Sequence, residues 1–125
     1  MSLGTEGATL KAVNLARKLA SFDEHWQPRT VAQFNGHDLM VVKVKGSFVW
    51  HAHADTDDVF LVLSGRLTIR LRDADVTLGP GELFVVPRGV EHCPVADEET
   101  HLVLIEPAGT PNTGDPRTAA PRRLV

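Results

Sequence analysis

The 125-residue sequence predicts an all-β protein, a sandwich or barrel, with one short helix in front of it. Three observations carry this. Eight or nine short β-rich runs follow one another at roughly the 8–12-residue spacing of rolled or stacked antiparallel strands. Tight-turn signals separate them, among them Asn35-Gly36, Ser64-Gly65 and Gly79-Pro80-Gly81. The run "RLTIRLR" alternates cleanly: Leu67, Ile69 and Leu71 face one way, Arg66, Thr68, Arg70 and Arg72 the other. That is a strand with one dry face and one wet face.

The elements follow in order. Residues 10–22, "LKAVNLARKLASF", have a helical period, with Leu15, Leu19 and Phe22 on one face and Asn14 as N-cap. A packing helix is expected over about 11–22. "TVAQF" and "LMVVKVK" flank Asn35-Gly36 as a hairpin. "SFVWHAH", "DVFLVL", "RLTIRLR", "VTL", "LFVVP", "HCPVA" and "HLVLIE" are read as further strands, with acidic "DEET" as a turn, so the barrel spans about 28–107. Alternation puts Phe60, Val62, Leu67, Ile69, Leu71, Val85, Leu102 and Leu104 inside, with Met40, Phe48 and Trp50 at the mouth. The tail, about 108–125, is rich in Pro, Gly, Thr and Arg and has little to bury; it is either mobile or extended along a neighbouring surface. No repeat of fixed period is present, and the chain reads as one domain.

The totals remove several classes of function. A net charge of −3, with only Arg117, Arg122 and Arg123 clustered, gives no sign of a nucleic-acid partner. No apolar run approaches the ~20 residues that span a bilayer, and no secretory signal is read at the start. The one cysteine, Cys93, excludes an internal disulfide and fits a reducing, cytoplasmic setting.

The chemistry concentrates in "WHAHADTDDVF", residues 50–60. Residues i and i+2 of a strand share a face, so His51 and His53 point the same way, about 7 Å apart along the chain. The next strand opens at Asp57-Asp58, which puts one of these carboxylates beside the imidazoles. "PRGVEHCP" supplies His92 just after a later turn.

These residues fall into two spaced motifs: Gly46-SFVW-His51-A-His53-ADTD-Asp58-VFLVLS-Gly65, and Gly81-ELFVV-Pro87-R-Gly89-VE-His92-CPV-Ala96. Together they cover residues 46–96 and resemble the two motifs of small single-domain cupins. The flanks "VNLARKLASFDEHWQPR" and "DEETHLVLIEPAGTPNTG" are similar to one subgroup of that family. The resemblance implies a double-stranded β-helix, a homodimer, and one divalent metal held by His51, His53, Asp58 and His92. The sequence departs from the family pattern at three points. The spacer before His51 is four residues rather than five, Asp58 stands at the glutamate position, and Ala96 stands at a final asparagine. Asp is one methylene shorter than Glu, so Asp58 ligates directly, through a water, or not at all. Asp57 is a rival, but the spacing to Gly65 favours Asp58.

Three neutral imidazoles and a carboxylate suit Fe, Mn, Ni, Co or Zn as divalent ions. Such a centre can polarise a bound oxygen or activate water. The partner expected is a small, partly apolar molecule, and the reaction class stays open between isomerase and dioxygenase. A non-catalytic binding or sensing module, with or without metal, is the alternative. No strong general base is visible, and no basic cluster or Gly-rich phosphate loop lies near the motifs, which argues against a sugar-phosphate substrate. His25, His37 and His101 read as surface residues, Asp55, Thr56 and Asp57 as a solvated turn, and Glu82 as a loop tie. Arg88 reads as a surface contact, and Gly65, Gly79, Gly81 and Gly89 as turn glycines.

Overall fold

The computed structural model describes residues 10–125. The first nine residues, where no secretory signal is expected, lie outside it. One short helix, α1 (Leu15–Leu19), precedes eight strands: β1 (Arg29–Phe34), β2 (His37–Ser47), β3 (Asp58–Ser64), β4 (Leu67–Arg70), β5 (Asp75–Leu78), β6 (Leu83–Val86), β7 (Cys93–Pro107) and β8 (Arg123–Leu124). No helix among the described residues is long and apolar enough to cross a membrane.

The helix is shorter than its periodicity predicts. Asn14 is the N-cap, its side chain accepting from the Arg17 N–H, so residues 10–13 lie outside the helix and are exposed. The expected face is the one used. Leu19 and Phe22 are buried with Val31 and Val41, and Leu15 packs at the margin. Two cations close this second cluster: Arg29 lies over the Phe22 ring, and the Lys43 ammonium donates to the Phe22 carbonyl.

The long strand β7 organises the barrel. Along one side it pairs antiparallel with β2. Along the other it changes partner: Cys93–Val95 pair with β4, and His101–Ile105 pair with β3. β5 then extends β4, β6 extends β3, and β1 extends β2. The result is an all-β barrel of the double-stranded β-helix type. "HCPVA", "DEET" and "HLVLIE", read separately from sequence, are therefore one strand. The acidic stretch stays extended because its three carboxylates point to water while Thr100 is buried and the β2 register slips opposite it. "SFVWHAH" is the opposite case: beyond Ser47 the chain leaves the ladder, and only His51 makes a bridge, to His92.

The core holds Met40, Val42, Val44, Phe60, Val62, Leu67, Ile69, Leu102 and Leu104 among others, with Leu71 packed at its edge. One inward assignment and two mouth assignments change. Val85 is exposed, and Phe84 and Val86 face inward, because the pairs Asp58–Val86 and Phe60–Phe84 set the register of β6. Met40 lies fully inside the core, away from the mouth. Trp50 lies outside the barrel under the Arg70 and Arg72 guanidinium groups.

The tail lies along its own barrel. Asn112 donates to the Trp26 carbonyl and accepts from Ala120 N–H. β8 runs parallel to β1 at Arg29 and Thr30. Between them Arg122 bonds Asp38, Glu106 and the carbonyls of Pro107 and Thr110.

Candidate metal centre

Two backbone features bring the histidines together. His51 and His92 exchange both bridge hydrogen bonds, 3.0 and 2.9 Å, so their rings stand side by side with centroids 4.2 Å apart. His53 follows on the same side and is pinned where Gly89 N–H donates to its carbonyl. Asp58 opens β3, and its Oδ2 lies 3.3 Å from His53 Nε2 and 3.6 Å from His92 Nε2. One donor atom from each of His51, His53, Asp58 and His92 lies within 4.8 Å of all the others. Ligands bonded to one ion at ~2.1 Å stand roughly 3 to 4 Å apart. The cluster therefore matches an ion after small side-chain adjustments.

The protonation pattern also fits. A carbonyl only accepts, so the 2.8 Å contact of His51 Nδ1 with Val49 O and the 3.0 Å contact of His92 Nδ1 with Val90 O place the hydrogen on Nδ1. Each Nε2 is then a bare lone pair aimed at the cluster, the tautomer that binds metal. Burial lowers the His51 pKa to about 4, with His92 and His53 adding to the effect, so this imidazole stays neutral at pH 7. Burial opposes charge on Asp58, but the neighbouring His53 imidazole and Glu106 carboxyl outweigh it and hold the Asp58 carboxyl below the usual range. His53 Nδ1 and Nε2, Asp58 Oδ1 and His92 Nε2 are buried without hydrogen-bond partners among the described residues. Orphaned polar atoms on three adjoining side chains are costly, and a cation shared by His53, Asp58 and His92 would satisfy one on each.

The neighbouring candidates separate from the cluster. The Asp57 carboxylate accepts from Arg88 N–H and pairs with the Arg88 side chain, so it ties one loop to another. Glu82 holds the Gly79 turn through a 2.8 Å bond. His25 and His101 both meet Glu99 at the surface, and His37 bonds its own turn at Asn35. Ala96 packs in the core, and Cys93 is buried with its Sγ against the Phe48 carbonyl.

Glu106 is the site residue that sequence reasoning missed. It is 2% exposed, and its Oε2 lies 3.8 Å from His53 Nε2. Burial and the adjacent Asp58 push its carboxyl up to about 9, against the pull of Arg122. The signal was in "HLVLIEP": the alternation that turns Leu102 and Leu104 inward turns Glu106 inward too.

His51, Asp58 and Glu106 line one cavity of about 40 Å³ with Trp26, Phe48 and Phe60. Phe48 stacks on Trp26 and meets the His51 ring edge-on. The walls are apolar and the polar groups converge at one end, so the cavity suits a very small ligand or one end of a larger one. A larger groove of about 630 Å³ between β1 and the tail carries none of the four donors.

The comparisons with known proteins agree with this fold. A cupin-2 domain containing protein from Shewanella frigidimarina has the same fold with a TM-score of 0.77; it is 47% identical, covering 83% of this chain and 99% of its own. The uncharacterized protein YdbB of Bacillus subtilis is 30% identical over 64 residues, which span 50% of this chain and only 57% of that relative. Hydroquinone 1,2-dioxygenase PnpCD, solved with Cd2+ and 4-hydroxybenzonitrile, shares the fold alone at 14% identity, with a TM-score of 0.65 over 78% of this chain and 72% of its own. The family model for the cupin domain matches residues 38–106, more than half of the chain and all of the strands that position the site, and the chain belongs to that family.

Proposed function

We propose that this cupin binds one divalent transition metal through His51, His53, His92 and Asp58, and that the ion's open positions take an oxygen-bearing group of a small, partly apolar molecule. The convergence of four donor residues, three of them with buried polar atoms that lack a hydrogen-bond partner among the described residues, carries this reading. The metal is one of Fe, Mn, Ni, Co or Zn, and the activity is that of an isomerase or a dioxygenase. Cupin barrels accommodate both, and the fold does not choose between them. The small cavity supports a second reading, a binding or sensing module in which the ion anchors the ligand.

Metal analysis of protein purified without chelator or affinity tag tests the reading. About one ion per chain is expected. A protein that takes up no metal even after reconstitution refutes it. Chelation of that ion should lower the melting temperature, since saturation at 100 times Kd stabilises by about 2.7 kcal/mol. Iron would direct substrate screening to oxygen consumption; zinc or manganese would direct it to isomerase assays.

The same reading includes a homodimer in a reducing, cytoplasmic setting. The outer face of β3, β6 and β7 supports the dimer: Leu61 sits between Leu83 and Val103, and Val59 between Val85 and Ile105. Leu83 and Val85 are 59% and 42% exposed, which makes a continuous apolar patch of the kind a second copy covers. Val85→Glu is expected to shift the chain to monomer in light-scattering chromatography without loss of fold. A wild-type monomer at high concentration would refute the dimer.

A further inference from the structure

We propose that Asn112 is the gate of the metal cavity: it parts the cavity from the groove beside the tail, and its withdrawal admits a ligand too large for the closed cavity. This rests on the metal reading above and deepens it, since the gate decides which molecules reach the ion.

Two spaces share one wall. The cavity at the cluster measures about 40 Å³, room for roughly three waters. Pockets for organic ligands measure roughly 300–1,000 Å³, so a partly apolar molecule enters only if a wall moves. The groove of about 630 Å³ between β1 and the tail lies on the other side. Pro28 and Asn112 line both spaces and so form the partition. With Asn112 withdrawn, the groove opens onto His51 and Asp58, and the joined space reaches the size of a ligand site.

The other walls are held more firmly. Val42, Val44, Phe60, Leu102 and Leu104 stand on β2, β3 and β7, which pair along their length. Pro28 is buried just before β1. Trp26 has a left-handed backbone, φ 62, costly for a bulky residue. Its N–H donates to the Lys43 carbonyl and its indole to the Lys45 carbonyl, and Phe48 stacks on its ring.

Asn112 hangs on less. It stands in a turn that Gly114 N–H closes on the Pro111 carbonyl, and Thr113, Asp115, Arg117 and Thr118 bond one another within the same segment. Its bond to the Trp26 carbonyl is long, 3.4 Å, and its Oδ1 accepts from Ala120 N–H of the tail at 3.0 Å. Arg122 grips the carbonyls of Pro107 and Thr110 before the turn, and β8 pairs with β1 after it. The segment between these anchors can therefore swing without the tail leaving the barrel. The turn also rests on the metal motif. Gly114 packs against the backbone of Ala52, between His51 and His53, so closely that a Cβ would overlap the Ala52 carbonyl oxygen.

Stopped-flow absorption of Co(II)-loaded protein tests the gate with two probes. Azide is small enough for the closed cavity; benzoate, an apolar ring with one carboxylate, is not. Asn112→Ala removes the two hydrogen bonds of the gate and leaves every proposed ligand in place. Its benzoate on-rate is expected to rise roughly 10-fold, with the azide on-rate and the Co(II) affinity within about twofold of wild type. An unchanged benzoate on-rate overturns the proposal, and so does a benzoate that binds neither protein. An equal rise for both probes overturns it too, because the site would then have loosened without losing a size filter. Gly114→Ala, whose Cβ pushes the turn off Ala52, should act in the same direction and decides the question if Asn112→Ala does not fold; a wild-type benzoate on-rate in folded Gly114→Ala overturns the gate. Wild-type protein that binds no Co(II) removes the metal reading, and Trp26 then reports on the gate alone. In a Trp50→Phe background, Asn112→Ala should raise acrylamide quenching of Trp26 and move its emission to longer wavelength. Unmoved quenching and emission in that metal-free protein overturn the gate.

Discussion

His92→Ala is expected to lose Co(II) or Zn(II) affinity by more than ~100-fold, beyond what the removal of an outer-sphere partner costs. His92 is fully buried, its Nδ1–H is spent on the Val90 carbonyl, and its Nε2 has no hydrogen-bond partner among the described residues. A side chain so constrained has one remaining bond to make, and it points at the cluster. His51→Ala and His53→Ala should behave alike, since each offers one donor atom from the same side. Asp58→Ala should cost less, ~10–100-fold, because Glu106 lies beside it and leaves one carboxylate in the cavity. His101→Ala is the control: its ring bonds Glu99 at the surface, and metal content should not change. Isothermal titration of the five variants checks the order. An Asp58→Ala loss equal to that of the histidines would show that Glu106 does not substitute for the missing carboxylate. Unchanged binding in His92→Ala would remove the ligand reading of the cluster.

Much of this cluster is legible in the sequence, because its logic is short-range. His51 and His53 share a side by spacing, and Asp58 opens the next strand. Glu106 was hidden by its neighbours: in a strand otherwise made of Leu, Val and Ile, one acid at the end looks like the place where the strand meets water. Its burial depends on Arg122, which also binds Asp38 from 84 residues away, and no local pattern contains that contact. The same ion pairs explain why a tail with little to bury is nevertheless held on the barrel. The β6 error has a different origin. "LFVV" is apolar at every position, so period two gives no preference between Leu83 with Val85 and Phe84 with Val86. Pairing with β3 decides it.

Gly65→Ala is expected to destabilise the protein by ~3 kcal/mol or more, a fall in melting temperature of roughly 10 °C. Gly65 has φ +89, a left-handed conformation in which a Cβ is strained wherever it points. Here the Cβ would also lie 2.9 Å from the Thr100 Cα and 3.0 Å from the Glu99 carbonyl, both backbone atoms that cannot swing away. Thr100 is fully buried; its hydroxyl accepts from Arg66 N–H at 3.1 Å and can donate back to the Arg66 carbonyl at 3.0 Å. The crowding therefore strikes the corner where the chain passes from β3, paired with the far half of β7, to β4, paired with the near half. Gly81→Ala separates the two contributions. Its φ of +81 imposes the same strain, but nothing lies within 4 Å of the added Cβ, so a loss of only ~1–2 kcal/mol is expected. Thermal melts of the two variants decide the matter. A clearly larger loss at Gly65 means that close packing against Thr100 joins the halves of the barrel. Equal losses would mean that backbone conformation alone requires glycine there, and that β7 can shift at Thr100 to admit a methyl group.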